Sequence, residues 1–167
     1  KVLNSETIEG SSSNFIGEII NEEISGANYF QSGGHGTQSG IQLRGLPKRY
    51  STVYIDGVRM SDPSSPDNSF YMSNVMKESI EKVEILKGSQ SSLYGSNAIG
   101  GTINIFTKKA KEGQSTNYNI SRGSNGSINK NFSYSSANQV QDFYIGLNSF
   151  NTDGISAMND SPNENDK

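Results

Sequence analysis

Between Asn117 and Asn148, apolar and small polar residues alternate with a period of two, and no other feature of the chain restricts its fold so sharply. Tyr118 and Ile120 alternate with Asn117, Asn119 and Ser121. Ile128, Phe132 and Tyr134 alternate with Asn129, Asn131, Ser133 and Ser135, and Phe143, Ile145 and Leu147 with Tyr144, Gly146 and Asn148. Successive side chains of a strand point to opposite faces, so these segments predict three strands, each with an apolar and an Asn/Ser face. GSNG at 123–126 and ANQVQD at 137–142 are the connections. Such a meander suits a membrane barrel wall, with lipid on one side and an aqueous lumen on the other. It suits equally a soluble antiparallel sheet with one solvated face.

Before Gly113 the texture differs, and apolar clusters are separated by glycine-rich turns. Phe15, Ile16, Ile19, Ile20 and Ile24 recur at helical spacing behind Ser11-Ser12-Ser13-Asn14, a supply of N-cap residues, and predict a short amphipathic helix over 14–24. SGGHGTQSG at 32–40 is a loop, because so many glycines cost too much backbone entropy inside a regular element. IQLRG at 41–45 and TVYIDGV at 52–58 read as strands joined by a tight connection at 46–50, with Asp56-Gly57 a turn or bulge at a strand end. Pro63 and Pro66 keep SDPSSPDNS at 61–69 irregular. Beyond it come a weak helix at 71–79, a strand at 80–88, a helical turn at 89–98 and a strand at 102–109. Strands and helices interleave, which is an α+β pattern: a small mixed β-sheet with short helices.

Composition narrows the chemistry. The 167 residues are only 31% hydrophobic and 19% charged, with a net charge of −3, so the polarity comes from Ser, Asn and Gly. No cysteine is present and His35 is the only histidine, which excludes thiolate catalysis, Cys-type metal sites and a His-based triad within one copy. The mild acidity without a basic run speaks against nucleic acid as a partner. No apolar run is long enough for a membrane-spanning helix. Asp56 has no carboxylate or His partner at useful spacing, so a structural role is expected.

IQLRGLPKRYSTVYIDGVRM at 41–60 and IEKVEILKGSQSSLYGSNAIGGTINIFTKK at 80–109 closely resemble the plug domain of TonB-dependent outer-membrane receptors. The family pattern has an RG strand, a V-x-I-D-G-V strand, an I-E-x-(I/V)-E-(I/V)-(L/I)-(R/K)-G-P block, Y-G-x-x-A-x-G-G and N-I-x-T-K. All five occur in order, and vitamin B12 and siderophore receptors are the nearest in character. The resemblance implies a plug domain over 1–109, followed over 110–167 by the first antiparallel strands of an incomplete transmembrane β-barrel. It further implies a non-enzymatic fragment of a transporter in the outer membrane of a Gram-negative bacterium, taking up a scarce large nutrient. Vitamin B12 (or another corrinoid), a ferric siderophore, haem and an oligosaccharide remain open as ligands.

Carried over residue by residue, the resemblance places ligand contacts on the plug's apical loops. These are Gln31, Ser32, His35, Thr37, Gln38 and Ser39 in the first, and Ser61, Asp62, Ser64, Ser65, Asp67 and Asn68 in the second. His35 can contact or ligate a metal-bearing ligand, with a solvated loop histidine as the plainer reading. Arg44 and Lys87 fall where the family sets basic side chains against barrel-wall acids to latch the plug. Lys87 stands where Arg is usual, which removes bidentate geometry, and Ser89 stands where Pro is common. Gly95, Gly100 and Gly101 are expected at close backbone approaches or positive φ.

The implied partners are TonB with its inner-membrane energising complex, the rest of the β-barrel, and outer-membrane lipid. The TonB box precedes the first plug strand in this family, so KVLNSETIEG is expected to begin within or just after that strand, with the TonB box outside the chain. No cofactor is implied. The oxygen-rich acidic loop at 153–166, with Asp153, Asp160, Glu164 and Asp166, is of a kind that binds calcium, although a solvated acidic loop is the default. A free-standing soluble plug-like ligand-binding module is the alternative function. A serine hydrolase fails on the single His and the missing G-x-S-x-G elbow.

Overall fold

A computed structural model describes residues 1–89, 91–95 and 97–154. The chain divides into two compact units, Lys1–Lys108 and Lys109–Lys167.

The first unit opens with β1 (Val2–Leu3) and a one-turn-and-a-half helix, α1 (Ser5–Gly10). Asn4 caps α1 by accepting hydrogen bonds from the Thr7 amide at 3.0 Å and the Thr7 hydroxyl at 2.8 Å. With Ile8 the one buried residue in six, α1 has too little apolar periodicity to stand out in the sequence. Next is α2 (Ile16–Glu23), which buries Ile16, Ile19 and Ile20. It is capped differently from expectation. Phe15 occupies the N-cap position without a side-chain bond, while Ser11 and Ser13 donate instead to the Glu22 carboxylate at 3.2 and 2.8 Å. Backbone contacts fix the helix start: Ile16 N–H donates to Val75 O and Lys77 N–H to Asn14 O.

A hairpin follows, formed by β2 (Ala27–Gln31) and β3 (Ser39–Leu43). After it come β4 (Ser51–Ile55), β5 (Val58–Met60), β6 (Ile80–Lys87), α3 (Ser91–Tyr94) and β7 (Gly101–Thr107). Five strands form a mixed sheet in the order β1-β6-β7-β4-β5, with β4 parallel to β7 and every other pair antiparallel. The strands expected at 41–45 and 52–58 lie in different sheets. β3 joins β2 in a separate two-stranded sheet, and β4 takes β5 and β7 as neighbours. The weak helix at 71–79 is two single 3₁₀ turns, Met72–Asn74 and Lys77–Ser79, separated by a bridge of Met76 to Phe15.

Register explains the core. Val83 faces Ile105, Ile85 faces Ile103, and Val53 faces Ile103 across β4 and β7, so one side of the sheet is aliphatic. That side joins Leu3, Ile8, Ile16, Ile19, Ile20, Ile24, Ile41, Leu43 and Met72 in one buried cluster. β-Branched isoleucine suits both the pleated surface and the facing helix stripe, so a modest aliphatic content suffices.

The β4–β5 hairpin turns on Asp56 and Gly57, with φ of 48° and 82°, the paired left-handed geometry that matches strand twist. Asp56 is structural, as expected. Its carboxylate accepts from the Thr107 amide at 3.0 Å and the Thr107 hydroxyl at 2.6 Å, stapling the turn to the end of β7. Asp56→Ala should therefore cost about 1–2 kcal/mol of stability by urea unfolding, through lost hydrogen bonds and a strained φ, and Asp56→Asn about half of that.

The second unit is a three-stranded antiparallel meander of β8 (Gly113–Arg122), β9 (Ile128–Ala137) and β10 (Asp142–Asn151) in the order β10-β9-β8. Tyr118, Phe132 and Leu147 form its central cross-strand rung, flanked on the same face by Thr116, Tyr134 and Ile145. Arg122, Lys130 and Ser149 lie toward one end of that face. Asn117, Asn119, Asn131, Ser133 and Asn148 occupy the other face, where Asn131 donates to the Asn148 side chain. The apolar face is exposed, with Tyr118 at 68% and Leu147 at 64%.

Candidate ligand loops and plug contacts

The glycine-rich loop at 32–38 links β2 to β3. It is closed by a hydrogen bond from Ser32 N–H to Gln38 O at 2.9 Å and by Thr37, whose hydroxyl donates to Gly34 O at 2.8 Å. Gln31 also donates to Gly34 O. His35 is not a free loop histidine. Its ring stacks on Phe15 at 4.6 Å between centroids and 22° between planes, and its Nδ1 lies 3.9 Å from Glu18 Oε1. Burial pushes the Glu18 carboxyl up and Glu22 adds to this, while His35 and a Ser13 hydrogen bond oppose it. The loop tip is thus moored to the start of α2, a contact between residues twenty positions apart in the chain that local patterning did not reveal.

Ser39, expected among the loop ligands, is instead a strand residue of β3 and only 1% exposed. Its hydroxyl accepts from the Ser73 amide at 3.0 Å. This buried bond ties the end of the first loop to the segment that follows the second.

The second loop, 61–69, is braced by its own side chains. Asp62 accepts from the Ser64 amide at 2.9 Å and hydroxyl at 2.6 Å, bonds that hold its carboxyl below the usual range. Asp67 accepts from the Ser65 hydroxyl at 2.6 Å and the Ser69 amide at 3.2 Å, and lies 3.7 Å from Lys48 Nζ. Burial pushes the Asp67 carboxyl up, but the Ser65 and Ser69 hydrogen bonds and the Lys48 charge outweigh it and bring it to about 2. Ser65 is 5% exposed and faces Asp67, leaving Ser61, Asp62, Ser64, Asp67 and Asn68 as the reachable members of the set. Lys48 also sits over the Tyr71 ring at 4.9 Å. Lys48 and Tyr71 were not foreseen, since nothing local marks a lysine before β4 as the partner of an aspartate nineteen residues later.

The Asp67 arrangement has a pH consequence. A carboxyl with a folded value near 2, against 3.8 when unperturbed, stabilises the fold above about pH 4 and loses that contribution as pH falls through about 2. Between those values the unfolding midpoint should drop more steeply in the native protein than in Asp67→Asn, as followed by circular dichroism in urea.

Arg44 and Lys87 converge at the turn between α2 and β2. Arg44, at φ 58°, donates its amide to Gly26 O at 2.8 Å, and its guanidinium passes beside Gly88. Lys87 donates to Ser25 O, so this side chain is engaged within the first unit. Of the acidic loop at 153–166, the structure describes only Asp153 and Gly154; the rest lies outside the described residues.

The family model of the TonB-dependent Receptor Plug Domain matches residues 1–102, which cover almost all of the first unit. The chain belongs to this receptor plug family. It is 28% identical over 132 residues to a vitamin B12 transporter BtuB of Vibrio vulnificus, covering 79% of this chain and 21% of that protein. To the vitamin B12 transporter BtuB of Photobacterium profundum it is 34% identical over 106 residues, 64% of this chain and 17% of the other. The chain thus spans about a fifth of the length of these relatives. Among solved structures, the copper transporter OprC superposes with a TM-score of 0.76 at 22% identity, covering 92% of this chain and 24% of that one. The siderophore receptor PirA of Pseudomonas aeruginosa gives 0.65 at 27% identity, covering 92% of this chain and 27% of its own. The plug family chain is therefore an α+β plug with a small mixed sheet followed by antiparallel strands, and within the described residues those strands do not close a barrel.

Proposed function

We infer that this chain is the plug and the opening barrel strands of an outer-membrane receptor that imports a large, scarce nutrient, a corrinoid such as vitamin B12 or a ferric siderophore. The match of the plug family over 1–102 carries this reading, and the relatives named for vitamin B12 transport and siderophore reception point to the nutrient class. The meander supports the membrane part. Strands of ten residues, tilted as in outer-membrane barrels, are long enough to cross the hydrocarbon layer. An apolar outer face and an Asn/Ser inner face meet lipid and lumen respectively.

In this reading the plug fills the lumen, and the loops at 32–38 and 61–69 offer backbone amides and hydroxyls to the ligand. His35 serves by mooring the first loop against Phe15 and Glu18. Arg44 and Lys87 both have exposed side chains, and Lys87 keeps two ammonium N–H groups beyond its bond to Ser25, so the pair is offered to barrel-wall carboxylates. Transport then needs no covalent chemistry: TonB, energised from the inner membrane, displaces the plug and opens a path.

Loop replacement tests this. In the intact receptor, exchanging 61–69 for a Gly/Ser linker should weaken binding of cyanocobalamin or a ferric siderophore by about tenfold or more, the loss expected when one or two well-placed hydrogen bonds go. Equilibrium binding to outer membranes is the readout, with protease resistance of the plug retained. Affinity unchanged for every nutrient that binds would remove the loop from the site.

A further inference from the structure

Asn125 is the only asparagine of the sequence that precedes a glycine. It opens the two-residue turn between β8 and β9, with φ of 52° at Asn125 and 64° at Gly126, and Ser127 N–H closes the turn on Ser124 O at 3.0 Å. The Asn125 side chain is exposed and makes no hydrogen bond among the described residues, and the Gly126 amide donates to none of them. Glycine carries no Cβ to shield that amide nitrogen. The two atoms that close a five-membered ring, Asn125 Cγ and Gly126 N, are therefore both unengaged.

The oxygen of the peptide unit they share is held. Asn125 O accepts from the Asp153 amide at 3.0 Å and from the Thr152 hydroxyl at 3.2 Å. When a peptide N–H ionises, its charge moves onto the oxygen of the same unit, so donors already fixed on that oxygen stabilise the anion as an oxyanion hole does. A hairpin turn by itself supplies neither donor; both come from the chain just past β10. The Asp153 carboxylate also lies against Gly126, a proton acceptor beside the amide that must ionise.

We propose that Asn125 is a site of spontaneous deamidation, promoted by Thr152 and Asp153 and directed by them toward isoaspartate. A base takes the Gly126 amide proton, the nitrogen bonds to Asn125 Cγ, and the side-chain nitrogen leaves as ammonia after taking a proton from water. Water then adds to one carbonyl of the succinimide and opens its C–N bond. Addition at Cγ gives aspartate. Addition at the main-chain carbonyl gives isoaspartate, whose chain runs through Cβ and whose former main-chain carbonyl is a carboxylate. That carbonyl is the one Thr152 and Asp153 polarise, and as a carboxylate it keeps their hydrogen bonds in charge-assisted form. The turn gains a methylene and a negative charge. The site lies wholly in the second unit and does not depend on which nutrient the receptor carries.

The test incubates the intact receptor at mildly alkaline pH, folded and in guanidinium, and then digests it with trypsin. Cleavage after Arg122 and Lys130 releases 123–130, which carries Asn125 together with the buried Asn129 as its internal control. Mass spectrometry reads the conversion of amide to acid at each asparagine, and chromatography separates isoaspartyl from aspartyl peptide. In the folded receptor Asn125 should convert while Asn129 does not, with an isoaspartate-to-aspartate ratio severalfold above that in guanidinium, where Thr152 and Asp153 leave Asn125. Thr152→Val should slow the folded conversion about fivefold, the worth of one neutral hydrogen bond, and lower that ratio, with the rate in guanidinium unchanged. Conversion of Asn125 no faster than that of Asn129, the same ratio folded and unfolded, or a Thr152→Val receptor that converts at the original rate overturns the proposal.

Discussion

Leu147→Arg should nearly abolish the folded receptor in the outer membrane. Leu147 sits on the central rung with Tyr118 and Phe132, half-way along strands of ten residues. At the midplane of a bilayer an arginine on the lipid face costs about 2–4 kcal/mol, falling toward zero near the interfaces. On the opposite face the same change is mild, so Asn119→Arg should leave the level of folded receptor near normal. Heat-modifiable mobility of outer-membrane extracts on cold and boiled gels measures both. In the same membranes, a cysteine at Phe132 should resist a water-soluble maleimide while one at Asn131 reacts. Equal tolerance of arginine on both faces, with equal labelling, would make the meander a soluble sheet.

Gly101→Val is expected to disable the plug itself. Gly101 opens β7 at φ 144°, a conformation that side chains rarely adopt. A Cβ there would run into the backbone carbonyl of Leu86 and come within 2.9 Å of Leu43 Cδ1 and 3.2 Å of Lys87 Cα. The Leu86 oxygen belongs to the neighbouring strand β6, so no side-chain rearrangement relieves the clash. Overpacking and backbone strain together should cost about 3–5 kcal/mol, enough to leave the first unit protease-sensitive. Gly45→Ala is the control: it also has positive φ, at 75°, but a Cβ there meets nothing within 4 Å, so only about 1–2 kcal/mol is at stake. Limited proteolysis and urea unfolding report both variants.

The two glycines show how far local chemistry reaches. Asp56-Gly57 was legible as a turn because its residue types demand that geometry wherever they occur between strands. Gly101 was legible only as a close approach of unknown partner; that the partner is Leu86 follows from β7 lying beside β6. Likewise α2 was visible as an apolar stripe, yet its N-cap was misjudged. Ser11 and Ser13 turn to Glu22, and backbone bonds to Val75 and Asn14 hold the helix start. The strands at 41–45 and 52–58 were legible together with the connection between them, but not their partners. Tight connections favour neighbours in the chain, but β4 sets Val53 against the buried Ile103 and Ile55 against Ile105 by lying parallel to β7.

Period-two alternation, turn residues and five motif blocks in order determined the three strands at the end of the chain, the plug identity of what precedes them, and most strand positions, because each depends only on residues close in sequence. Tertiary structure alone decided that His35 stacks on Phe15, that the buried Ser39 hydroxyl accepts from the Ser73 amide, and that Asp67 answers Lys48. Those contacts join segments brought together by strand order in the sheets and by a common core, and the free energy that selects such an order is a sum over distant pairs that no local window contains.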